Sequence, residues 1–83
     1  MTHPGQAEIE VTLLQFCEET PQKVAMVIVR TTNLLANKSD DWDALADRVA
    51  DVLYVLVEAG MLEAAGDVTD WRHSEVRLPK SGE

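Results

Sequence analysis

The chain has 83 residues, seven basic and fifteen acidic, for a net charge of −8. That length makes one domain, in which folding covers only about 60% of the unfolded surface, so the core is thin and self-association would help it. A hydrophobic fraction of 46% excludes a disordered chain, and the charge repels DNA, RNA and anionic lipid unless the few cations gather on one face.

Residues 1 to 6 offer nothing to hold His3-Pro4-Gly5 and are expected to be disordered. From Ala7, apolar residues recur as Ile9, Leu13, Phe16 and Cys17, the offsets of one helical face. Glu8 and Glu10 suit its positively polarised first turn. Pro21 is expected to end this helix and open a second one capped by Thr20. In PQKVAMVIVRTTNLLANK, the β-branched run VAMVIV fits a buried strand, while Val24, Val27, Ile28, Thr31, Leu34 and Leu35 fit a helix. Length favours the helix, because no turn signal interrupts residues 22 to 35.

NKSDD is a polar break in which Ser39, Asp40 or Asp41 can cap a third helix. At about 100° per residue, Trp42, Leu45, Ala46, Val49, Val52, Leu53 and Leu56 share its inner side. Asp43, Asp47, Asp51, Tyr54 and Glu58 share the outer one. Gly60 stands where a left-handed C-cap belongs. Met61 to Ala65 then predicts a short strand, Gly66 to Asp70 a turn, and residues 74 to 78 a half-buried strand with Ser74, Val76 and Leu78 inward. Residues 79 to 83 form a polar tail. The expected core is Ile9, Leu13, Phe16, Val24, Ile28, Leu35, Trp42, Leu45, Val49, Val52, Leu53, Leu56, Leu62, Val76 and Leu78.

Three helices followed by a hairpin follow winged-helix order. The expected fold is therefore mainly α (α+β): one winged helix-turn-helix-like domain over residues 7 to 78, with a C-terminal two-stranded wing. Gly60-Met61-Leu62, then Asp70-Trp71-Arg72 ten residues after the glycine, then Val76-Arg77-Leu78, resemble the wing of the MarR-type transcription regulators. The likeness covers about a third of the chain. It implies that Arg72, held by Asp70, would reach into a DNA minor groove. At the position nine residues before the glycine, where that family has an arginine, this chain has Asp51.

The residues themselves point two ways. Residues 40 to 63 hold seven acids and one base, Arg48, a local charge of −6. A DNA reader needs cations in its recognition helix to displace phosphate counterions, and here the sign is opposite. Asp43, Asp47 and Asp51 stack at i, i+4 and i+8, either as a surface kept acidic for a partner or as the solvated face of an acidic protein. Tyr54 among them has the character of an interface anchor. The wing carries Arg72, His73, Arg77 and Lys80, suited either to phosphate contacts or to local pairing with Asp70 and Glu75.

Cys17 lies on an apolar face, His3 and His73 share no metal-ligand spacing, and no glycine loop cradles a phosphate. No catalytic, metal or cofactor site is therefore expected. MTHPGQAEIE has no basic region followed by an apolar run, no stretch reaches the roughly 20 apolar residues of a membrane span, and a lone cysteine suits a reducing compartment. The expectation is a cytoplasmic, non-catalytic interaction or regulatory adaptor. It would use Asp43, Asp47, Asp51, Tyr54 and Glu58 on a protein with a basic or mixed surface, a second copy (a homodimer) included. The alternative is a DNA-binding regulator acting through Arg72, His73 and Arg77.

Overall fold

A computed structural model describes residues 5–36 and 41–79. The expected frayed start (residues 1–4), the caps Ser39 and Asp40, and the tail with Lys80 lie outside the described residues. The elements are α1 (Gln6–Gln15), β1 (Gln22–Lys23), α2 (Val24–Leu35), α3 (Trp42–Glu58), β2 (Glu63–Ala65), a one-turn 3-10 helix (Trp71–His73) and β3 (Glu75–Arg77). The protein is mainly α, three helices with an antiparallel wing.

The wing has three strands, in the order β1-β3-β2, not the two expected from sequence. Gln22 pairs with Val76 and Lys23 with Glu75; Glu63 pairs with Arg77, Ala64 with Val76 and Ala65 with Glu75. This pairing also overturns the expected Thr20–Pro21 helix start. Two residues that would extend α2 are drawn into the sheet instead, and α2 begins at Val24, whose N–H donates to the Ser74 carbonyl (3.1 Å). A helix N-terminus leaves its first N–H groups unpaired, and here the third strand's approach supplies one acceptor. The helical reading of VAMVIV holds.

α1 starts at Gln6, one residue earlier than expected, and stops at Gln15, well short of Pro21. Phe16 and Cys17 close its last turn through N–H donation to the Leu13 and Leu14 carbonyls. The loop beyond is tied to the sheet where the Leu78 N–H donates to the Glu18 carbonyl (2.7 Å).

The core gathers Ile9, Leu13, Val24, Ile28, Leu45, Val49, Val52, Leu53, Leu56, Leu62 and Val76 as expected, joined by Cys17, Val27, Ala46 and Ala50. Each fully buried aliphatic side chain contributes roughly 1.5–3 kcal/mol relative to exposure. Phe16, Leu35 and Leu78 are only half-buried, packed on the edge of this cluster. Trp42 was expected inside and lies outside, 37% exposed. As the first residue of α3 it sits beside the end of α2, where its indole N–H donates to Asn33 Oδ1 (2.7 Å). No described helix is long and apolar enough to cross a membrane.

Candidate functional site: the outer face of the third helix and the wing

α3 is held at both ends by its own sequence. Asp41 caps it, its carboxylate accepting from the Asp43 and Ala44 N–H groups (3.1 and 3.3 Å). At the other end Gly60 takes φ +82°. The Gly60 N–H donates to the Val57 carbonyl and the Met61 N–H to that of Leu56, the two bonds of a Schellman cap. Leu62 also donates to Leu56, so β2 starts at Glu63, two residues later than expected.

Between these caps the inner face is buried, and Asp43, Asp47, Asp51 and Glu58 all stand exposed on the outer one, with Val55 among them and Arg48 as the exposed cation of the helix. Like charges at i, i+4 cost about 0.2–0.5 kcal/mol per pair. Every one of the four predicted carboxylates is thus brought to one solvent-facing surface.

Tyr54 is placed differently from the sequence expectation. It is half-buried at the border of that surface, and its hydroxyl accepts a hydrogen bond from the Trp71 indole N–H (2.8 Å). Trp71 itself packs on the core cluster. The tyrosine is therefore the point where the wing is pinned to the flank of α3, and only part of its ring faces outward. Its amphipathic ring allows both contacts at once.

The wing is a chain of local bonds. Gly66 takes φ +84°, and a Cβ there would meet the His73 carbonyl oxygen at 2.9 Å. Asp67 Oδ1 accepts from the Thr69 hydroxyl (2.6 Å) and N–H (3.0 Å). These two bonds, the hydroxyl's first, hold its carboxyl below the usual carboxylate range. Ser74 Oγ donates to the Asp70 carbonyl (2.7 Å).

The wing cations are mostly engaged. The Asp70 carboxylate lies 3.1 Å from His73 Nδ1, not on Arg72 as the resemblance implied. Arg77 directs Nε and Nη2 at Glu63 Oε1 (2.9 and 2.8 Å), its cross-strand neighbour, an acid the sequence reading had not paired with the wing. Such exposed pairs contribute about 0.2–1 kcal/mol each, enough to orient the side chains. Arg72 is exposed and makes no ion pair with another described residue, and Lys23 Nζ lies 3.5 Å from its carbonyl oxygen. Of the expected wing cations within the described residues, His73 and Arg77 are thus each set against a neighbouring carboxylate.

Chemistry elsewhere is limited. Cys17 is a buried free thiol, and burial pushes its pKa up to about 11, away from the thiolate form a nucleophile needs. Among the described residues no three His, Cys, Asp or Glu side chains come together as metal ligands would. A shallow groove of about 170 Å³ runs over the sheet between Pro21, Glu63, Glu75 and Arg77, smaller than the roughly 300–1,000 Å³ of small-molecule sites.

Sequence reasoning missed the Trp71–Tyr54 bond and the third strand. Tyr54 at the edge of an apolar helix face was a usable signal for the first, since a tyrosine or tryptophan near a core needs a polar partner. QK offered none for the second. Comparison with known protein families, curated proteins and solved structures finds no match to this chain.

Proposed function

We propose that this chain is a non-catalytic winged-helix interaction module, with a wing resembling that of the MarR-type regulators, that binds a protein partner through the outer face of α3. The partner presents a basic or mixed surface. One observation carries this reading: in the helix that a winged-helix DNA reader lays in the major groove, the exposed positions include four acids, Asp43, Asp47, Asp51 and Glu58, against one cation, Arg48. Phosphate contact requires cations there. The pairing of His73 with Asp70 and of Arg77 with Glu63 leaves the wing few cations to compensate. The lone unpaired cysteine accords with work in a reducing cytoplasm.

The alternative, DNA binding led by the wing, draws its support from exposed Arg72 beside Lys23. Two charges are few against −8.

A fluorescently labelled lysine- and arginine-rich peptide tests the reading by anisotropy at low salt. The wild-type chain binds it, and the triple variant Asp43→Asn, Asp47→Asn, Asp51→Asn loses at least tenfold in affinity. Neutralising three other exposed acids (Glu8→Gln, Glu18→Gln, Glu19→Gln) costs little. No binding, or equal losses in the two triple variants, overturns the proposal.

A further inference from the structure

The charge imbalance is divided sharply between two neighbouring helices. Residues 20 to 39 contain Lys23, Arg30 and Lys38 and no acid at all, whereas residues 40 to 63 carry −6. On α2 the inner face takes Val24, Val27, Ile28, Thr31 and Thr32 into the core. Met26, Arg30 and Leu34 therefore form one outward row at i, i+4 and i+8, with Val29 and Asn33 beside it.

That face is unusually apolar for a solvated helix. Leu34 is 61% exposed, Met26 40% and Val29 39%, and the Asn33 hydrogen bond brings 37%-exposed Trp42 alongside. Single exposed apolar residues need no explanation. Four on one continuous surface with methionine, tryptophan and an arginine have the composition of an interface centre. No described ion pair occupies Arg30.

We infer that the outer face of α2 docks against the outer face of α3 in a second copy of this chain. The inference rests on the reading of α3 as a protein-binding surface, and it names the partner. Charge complementarity selects it: α2 offers a cation and no carboxylate, and α3 offers Asp43, Asp47, Asp51 and Glu58, with a single cation Arg48, around 49%-exposed Val55. The dimensions agree, α2 being about 18 Å long and α3 about 26 Å at 1.5 Å per residue. A contact of two short helices falls at the small end of interface sizes, so the association is weak and reversible.

Sedimentation velocity over a concentration series reaching several hundred micromolar tests this, with circular dichroism checking that each variant is folded. The wild-type chain associates reversibly. Arg30→Asp and Asp51→Arg are each shifted toward monomer by at least tenfold in dissociation constant. Mixed one to one, they regain association, because one partner keeps an intact α2 face and the other an intact α3 face. A wild-type chain that stays monomeric overturns the inference, as does a mixture that stays monomeric or a pair of variants that associate like wild type. If any of these occurs while the basic peptide still binds α3, the α2–α3 contact alone is wrong. If the peptide also fails, the reading of α3 falls with it.

Discussion

A single hydrogen bond decides what kind of residue Tyr54 is. Without Trp71 it would be an aromatic ring standing among carboxylates; with the indole N–H on its hydroxyl at 2.8 Å it becomes the anchor of the wing. A half-buried bond of this type contributes about 1 kcal/mol. Tyr54→Phe is therefore expected to lower stability by about 1 kcal/mol in urea unfolding. In a double-mutant cycle with Trp71→Phe the two losses do not add, because both remove the same bond. Additive losses would mean that the two side chains contribute only through packing. The sequence put Tyr54 on the outer face because the helical wheel has no information about what arrives from a segment 17 residues later.

Element by element, what the sequence announced is what local physics controls. α3 was legible apart from Trp42 and the choice of cap among Ser39, Asp40 and Asp41, because its capping acid, its apolar period and its terminal Gly60 all act within one helix. The inward alternation of Ser74 and Val76 was legible for the same reason. β1 was not, since Gln22 and Lys23 become a strand only when β3 lies beside them, and Thr20-Pro21 is as good a helix start as any read alone. Trp42 was misplaced because size argued for burial, while its position at the very start of α3 left it beside Asn33 at the surface. The same distinction gives a prediction for the two glycines with positive φ. At Gly60 nothing lies within 4 Å of an added Cβ, so Gly60→Ala meets only the left-handed backbone penalty, about 1 kcal/mol. At Gly66 the same penalty is joined by a clash with the His73 carbonyl at 2.9 Å, so Gly66→Ala costs more, about 2 kcal/mol or above. Thermal unfolding of the two variants should rank them in that order, and the reverse order would mean that the wing tip is not packed as described.

For the molecule as a whole, the fold and the charge point to different trades. Three helices with a three-stranded wing are compatible with a winged helix, and the outer face of α3 carries Asp43, Asp47, Asp51 and Glu58 against one cation, Arg48. Distribution matters more here than the total of −8, since a cationic face on an acidic protein can still bind DNA. Among the described residues the cations are spread: Arg77 lies against Glu63, His73 against Asp70, Arg30 on α2 and Arg48 on α3, while Arg72 has Lys23 beside its carbonyl. On the reading proposed above, the acid-free α2 and the acid-rich α3 hold another protein surface. Anisotropy of a fluorescently labelled DNA duplex titrated with the wild-type chain at low ionic strength separates the two trades most directly. No rise should occur at micromolar protein. A rise that is salt-sensitive and disappears with Arg72→Ala would mean that the wing reads nucleic acid after all.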